Sequence, residues 1–163
     1  MNPVAFEIGS LSIRWYGILI SAAIAAGVFV AFRRSENQKI DPDHILNITI
    51  IVVPAAVIGA RLYYVLFSGR LDYYLNNPLE ILATWHGGLA VHGGLIAGIT
   101  AGYFYVRKYR LGFWKMADLL APSIALGQSI GRWGNFFNQE AHGGPVSLDF
   151  ISRFPDFIQR GML

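Results

Sequence analysis

Cysteine is missing from all 163 positions, which excludes disulfide bonds, thiolate metal sites and a cysteine nucleophile within this chain. Charge is scarce too: Asp, Glu, Lys and Arg make up 14% of the residues, against about a quarter in soluble domains. With 54% hydrophobic residues and a positive mean hydropathy, the composition points to a membrane protein. There is room for a handful of spanning helices at roughly 20 apolar residues each. A glycine-rich nucleotide loop, a readable Ser-His-Asp arrangement and a metal-ligand cluster are likewise absent from the sequence. The basic n-region of a cleaved signal peptide is lacking, since only Glu7 and a lone Arg14 precede the first apolar run, which is therefore read as a retained helix.

Four apolar segments organise what is there, at 13–32, 45–67, 88–106 and 116–131. Residues 1–12 are short, mixed and interfacial in character. In the first segment Gly17, Ser21 and Ala25 recur every fourth residue, the small-residue pattern that lets membrane helices approach closely, while Trp15 and Tyr16 suit an interfacial belt. Asp41-Pro42-Asp43 is a start signal for the second segment, and Pro54 is a place for it to kink. Between 68 and 85 an interfacial helix is expected, broken at Asn76-Asn77-Pro78. The third segment carries Gly94, Gly98 and Gly102, a double GxxxG ridge for a neighbouring backbone. His86-Gly87-Gly88 and His92-Gly93-Gly94 repeat with a six-residue offset, which on a helix would put the two histidines on different faces and argues against a shared metal. The expected fold is an all-α polytopic bundle of about four spanning helices, with 1–163 as one integral-membrane domain.

The basic residues orient that bundle. The connections after the first and third segments hold Arg33, Arg34 and Lys39, and Arg107, Lys108, Arg110 and Lys115, against Arg14 in the head and Arg70 between the second and third. The positive-inside rule puts the two basic connections in the cytoplasm and the N-terminus outside. A basic loop without aromatic interleaving beside a membrane reads as topology, with no nucleic-acid role.

The outer end of the fourth segment runs into G-R-W-G-N-F-F-N-Q-E-A-H-G-G, Gly131 to Gly144, which packs Arg132, Asn135, Asn138, Gln139, Glu140 and His142 behind an apolar run. Ionisable groups at membrane depth usually face a protein interior or wet cavity where they pair or bind something charged. On a continuous helix Arg132, Asn135 and Gln139 would share one face, although Gly131 and Gly134 are places for interruption and Gly143-Gly144-Pro145 is a helix stop. The residues leave two readings open: an anion-binding site, or a polar helix end at the interface with a structural Arg132-Glu140 pair. Arg61, near the far end of the second segment, likewise either snorkels to the interface or is buried with a function.

Gly131, Arg132, Gly134, Asn135, Phe136, Asn138, Glu140 and Gly143 match the signature Gly-Arg-x-Gly-Asn-Phe-x-Asn-x-Glu-x-x-Gly, and by it the chain resembles the prolipoprotein diacylglyceryl transferases. The resemblance extends to Trp15-Tyr16-Gly17, Gly59 to Phe67, His92 to Ile96 and Asp118 to Pro122. It implies a multi-pass enzyme of the bacterial inner membrane, its site towards the outer leaflet, that moves the diacylglyceryl group of phosphatidylglycerol to the lipobox cysteine of a prolipoprotein signal peptide. No cofactor is implied. Family members continue with a His-Pro-x-x-Leu-Tyr-Glu type segment and further spanning helices that bear a functional arginine, so the resemblance is to the N-terminal part, and a truncated C-terminus is expected.

That chemistry needs a base, because the thiolate is the nucleophile and a free thiol has a pKa of about 8.5. At its glycine-flanked membrane position His92 is, taken alone, either a base or a packed, hydrogen-bonded histidine, and its match to the family's histidine makes it the candidate base. Arg132 is the phosphate holder, its planar fork suiting two phosphate oxygens. Asn135, Asn138 and Gln139 can bond headgroup oxygens, and Glu140 can orient Arg132 or bind glycerol hydroxyls. Through the resemblance alone Tyr16 joins the catalytic set, Gly143 the binding set, and Arg61 takes a structural or lipid-headgroup role. Without the resemblance, the residues are equally served by an anionic-lipid transporter or scramblase, or by a structural membrane subunit whose charges pair internally.

Overall fold

The structure, a computed structural model, describes residues 3–9, 11–140 and 143–161. The chain runs through strands β1 (Val4–Ile8) and β2 (Leu11–Arg14), long helices α1 (Trp15–Asn37) and α2 (Asp43–Phe67), and short helices α3 (Leu71–Asn76) and α4 (Pro78–Leu82). A 3-10 turn (Thr84–His86) follows, then α5 (Val91–Lys108), α6 (Phe113–Asn138), and the short α7 (Leu148–Ile151) and α8 (Asp156–Gln159). The fold is mostly helical. Helices α1 and α2 are each long and apolar enough to cross a membrane. The 18 residues of α5 span about 27 Å at ~1.5 Å per residue, slightly short of a ~30 Å hydrocarbon core. The 26-residue α6 is long enough but carries Lys115, Asp118, Arg132, Asn135 and Asn138. Residues 1–31 with 120–163 form one compact unit and 32–119 another.

In the first unit the N-terminal segment, expected to be short and interfacial, is an antiparallel hairpin. Glu7 pairs with Ser12 and Ile8 with Leu11, with an irregularity between Val4 and Phe6, and Gly9 takes φ +62°, which the tight turn needs. The amide of Trp15 donates to the Pro3 carbonyl at 3.0 Å, so the hairpin leads straight into α1. The first part of α1 lies antiparallel to α6. A Cβ at Gly27 would stand 3.4 Å from the Ser123 carbonyl, one at Gly131 3.8 Å from the end of Ile20, and one at Gly134 2.8 Å from the Tyr16 ring. The face expected to pack is not the one used: Gly17, Ser21 and Ala25 are exposed, whereas Ala23, Gly27 and Ala31 are buried. Both stripes have a spacing of four, so small residues alone did not choose between them.

In the second unit α2 begins at Asp43, where Asp41-Pro42-Asp43 places it, with the Asp41 carboxylate accepting from the Asp43 amide at 3.0 Å. It runs through Pro54 as one helix. Against it α5 packs antiparallel along the expected ridge: Gly94 faces Ala56 and Ala60, Gly98 faces Ala56 and Val52, and Gly102 faces Val52, with room for an ordinary contact at each. The tightest approach lies one residue off the ridge. A Cβ at Gly93 would stand 2.3 Å from the Gly59 carbonyl oxygen, and one at Gly59 2.6 Å from that of Gly93. Between α2 and α5 the expected interfacial segment is two short helices, exposing Leu75, Leu79, Leu82 and Trp85.

Three helices end in the same way, without glycine. Lys39, Arg110 and Gln139 have φ of 51°, 55° and 57°. The amide one residue further on reaches back five residues, from Ile40 to Ser35, Leu111 to Val106 and Glu140 to Asn135. These are Schellman caps with an ordinary residue in the left-handed position.

The packing contacts at the glycines separate two substitutions of the same chemistry. Gly93→Ala should destabilise the protein by about 1–3 kcal/mol or more, because its methyl meets fixed backbone and the helices must part. Gly102→Ala, whose methyl would stand 3.7 Å from Val52, should be neutral or stabilising by up to ~1 kcal/mol from helix propensity. Thermal unfolding in one detergent checks this, and equal effects would refute the placement of the crossing.

Candidate functional site

In the first unit the polar signature sits on the last turns of α6. The helix is continuous through Gly131 and Gly134 to Asn138, so neither glycine interrupts it. Gly134 has a packing reason instead, since Tyr16 of α1 lies against the space where its side chain would be. Beside this contact Trp15 stacks on Phe137, centroids 5.4 Å apart. The belt aromatics thus pack on the signature helix. The helix stops at the Gln139 cap, ahead of Gly143-Gly144-Pro145.

Past the cap the side chains take distinct roles. The Gln139 amide donates to the Phe136 carbonyl at 2.9 Å and to the Gly161 carbonyl at 3.0 Å, tying the chain's last described residue to the helix end. Gly161 leaves no room for a side chain, because the Phe136 ring fills the place. Asn138 donates to a Glu140 oxygen at 3.1 Å, so the Glu140 contact in the structure is with Asn138. Arg132 is exposed, and among the described residues its side chain has no hydrogen-bond or ion-pair partner. His142 lies outside the described residues.

Between the end of α6 and the tail lies an open cavity of about 670 Å³, lined by polar Asn135, Gln139 and Glu140, by Gly143, and by apolar residues such as Val146 and Leu148. Its size is that of a small-molecule site, and its mixed lining suits a ligand with a polar head and an apolar portion. Of the expected binding residues it gathers Asn135, Gln139, Glu140 and Gly143. Arg132, Asn138 and Tyr16 do not line it.

The second unit holds His92 and Arg61. His92 is the second residue of α5 and exposed, its ring 6.2 Å from that of Tyr63 and nearly parallel to it. His86 belongs to the 3-10 turn, and the left-handed Gly87 and Gly88 intervene before α5 begins. The two histidines are therefore not on one helix, and the offset argument does not apply to them. Arg61 is buried, at 4% exposure, and does not snorkel. Its Nε donates to the Ile81 carbonyl at 3.0 Å, Nη1 to the carbonyls of Gly87 and Gly88, and Nη2 to that of Glu80. The guanidinium also lies over the rings of Tyr64 and Tyr74, 5.9 and 5.5 Å from their centroids. Sequence reasoning missed this carbonyl cage and the Gln139 tether, since backbone acceptors leave no mark on residue type. Gly88 was the available signal: a side chain there would collide with Arg61 and Tyr64.

The model of the family described as prolipoprotein diacylglyceryl transferase matches residues 3–162. Curated proteins named phosphatidylglycerol–prolipoprotein diacylglyceryl transferase are similar over nearly the whole chain. That of Clostridium botulinum (strain 657 / Type Ba4) is 51% identical over 162 residues, covering 99% of this chain and 64% of the relative. That of Clostridium novyi (strain NT) is 52% identical over 162 residues, covering 99% and 62%. The Bacillus velezensis protein is 48% identical over 160 residues, covering 97% and 58%. The chain thus spans somewhat less than two thirds of the length of these relatives.

Proposed function

This chain belongs to the prolipoprotein diacylglyceryl transferase family, and from that premise we propose that the protein it represents transfers the diacylglyceryl group of phosphatidylglycerol to the lipobox cysteine of prolipoproteins. The observation that carries the reading is the cavity at the end of α6, where Asn135, Glu140 and Gly143 of the signature meet an apolar wall. A phospholipid headgroup with the start of its acyl chains has that mixed character.

In this reaction His92 takes the proton of the substrate thiol, and the thiolate sulfur attacks the glycerol carbon that bears the phosphate ester. A carbon–sulfur bond forms, the carbon–oxygen bond breaks with its electron pair going to oxygen, and glycerol phosphate leaves. Arg132 holds the phosphate and stabilises the leaving charge. Asn135 and Glu140 bond the headgroup, Asn138 holds Glu140, Gly143 leaves space for the lipid, and Tyr16 supports the signature helix at Gly134. The nucleophile comes from the substrate, in keeping with a chain that has no cysteine. All four long helices cross a bacterial inner membrane in this reading, with the N-terminus and the 68–85 connection outside and the signature towards the outer leaflet. The skew of Lys and Arg supports that orientation.

Phosphatidylglycerol labelled separately in its acyl chains and its headgroup, given to the full-length protein with a lipobox peptide, tests the reaction. Acyl label should move to the peptide cysteine while headgroup label is released as glycerol phosphate. Movement of intact lipid between leaflets with no covalent transfer would identify a scramblase instead. In this assay Arg132→Lys should lose nearly as much activity as Arg132→Ala, because a point charge does not replace a two-pronged phosphate contact; near-normal transfer by the lysine variant would reduce Arg132 to a field source. For orientation, a cysteine at Arg70 should react with an impermeant maleimide in whole cells and one at Lys108 should not, and the reverse would move the signature to the cytoplasmic side.

A further inference from the structure

Arg61 has five N–H donors, and bonds to backbone carbonyls occupy four of them: one from Nε, two from Nη1 and one from Nη2. One N–H is left over. A bidentate grip on a phosphate needs two parallel donors, so Arg61 could bind a headgroup in that way only by releasing the loop it holds. The acceptors all belong to the stretch from Glu80 to Gly88, which runs from inside α4 through the 3-10 turn to the entrance of α5. That stretch is fitted to the arginine: Gly87 and Gly88 have φ of +82° and +76°, and a Cβ at Gly88 would lie 2.7 Å from Nη1 and 2.5 Å from the Tyr64 ring.

Directly after it the chain is anchored again. The Ala90 amide donates to the carbonyl of Ala60, the residue before Arg61, at 3.0 Å. Gly93 then lies so close to α2 that an added Cβ would meet both the Gly59 carbonyl and Tyr63 Cβ at 2.3 Å. His92 sits between these two anchors, its ring alongside that of Tyr63.

We propose that Arg61 is a positioning residue: by holding the carbonyls of residues 80–88 it fixes where α5 begins and thereby the placement of the His92 imidazole. The loop-holding part stands on the geometry alone, whereas its effect on the reaction rests on the transferase reading and on His92 as base. The guanidinium suits the task because its planar fork reaches several carbonyls at once. Lysine keeps the charge but cannot span them.

The test uses Arg61→Lys and Gly88→Ala in the full-length protein. Gly88→Ala retains the arginine but crowds it and the Tyr64 ring at a left-handed position, so it disturbs the same loop and carries the test if Arg61→Lys does not accumulate. With one cysteine introduced at Thr84 and no other present, either variant should raise the maleimide labelling rate about tenfold or more in detergent, as the loop opens locally. Unchanged labelling would overturn the proposal, and that arm needs no transferase activity, so it decides even if the wild type transfers no label. In an active protein kcat should fall about 10- to 100-fold, the scale of a displaced catalytic group, while KM for phosphatidylglycerol stays within about twofold. In a His92→Gln background the same substitutions should add almost no further loss, because they act through that side chain. A KM raised about tenfold with kcat kept, or an undiminished loss without His92, would make Arg61 a headgroup ligand or a general scaffold residue and sink the positioning role.

Discussion

The contact between Gly59 and Gly93 is the constraint on which the unit built from α2 and α5 depends. Neither residue can carry a Cβ without meeting the other helix's backbone, and such close approach matters most where lipid offers no hydrophobic drive for helices to associate. Several features follow from its position. Arg61 is two residues along α2 from the contact and faces the loop that enters α5. Ala60 is adjacent, and its carbonyl takes the Ala90 amide. Tyr63 is one turn on and lies beside His92. Among the described residues, a histidine at the start of a helix is thus placed by the Gly59–Gly93 approach, the Arg61 bonds and the Ala60–Ala90 bond, with no charge pair to it.

The four long helices were legible because an apolar run of that length is too long for a strand and fits a long helix. The Gly94, Gly98, Gly102 ridge was legible because its spacing matches a helix face. The β1–β2 hairpin was not, since it is short and its register shifts between Val4 and Phe6. On α1 the packing face was misassigned because an Ala- and Gly-rich helix offers more than one stripe of small residues, and only the partner selects between Gly17-Ser21-Ala25 and Ala23-Gly27-Ala31. On α6 the glycines suggested a break, but Gly134 leaves room for Tyr16 and the helix continues. Its true end is at Gln139, a residue type that carries little stop signal, held there by the bonds of its backbone and side chain.

The signature residues were recognisable as a group, but their division of labour was not. Asn135, Gln139, Glu140 and Gly143 line the cavity, but the Gln139 amide is spent on the helix end and the Gly161 carbonyl, Asn138 is spent on Glu140, and Arg132 stays exposed. Residue type and spacing cannot separate these roles, because an amide that braces a tail and one that faces a ligand look alike in sequence. Arg61 teaches the same point more sharply. A buried cation suggests an anion, yet its described partners are carbonyl oxygens of the chain itself.

The central claim is that His92 acts on the proton of a thiol the substrate supplies. The rate of diacylglyceryl transfer by full-length wild type and His92→Gln, followed from neutral pH upward, tests it most directly. Loss of a general base should cost roughly 100- to 10,000-fold near neutrality. That deficit should shrink as pH approaches and passes about 8.5, where the cysteine ionises without help. A deficit that stays constant with pH, or near wild-type transfer by His92→Gln at neutral pH, would contradict the account.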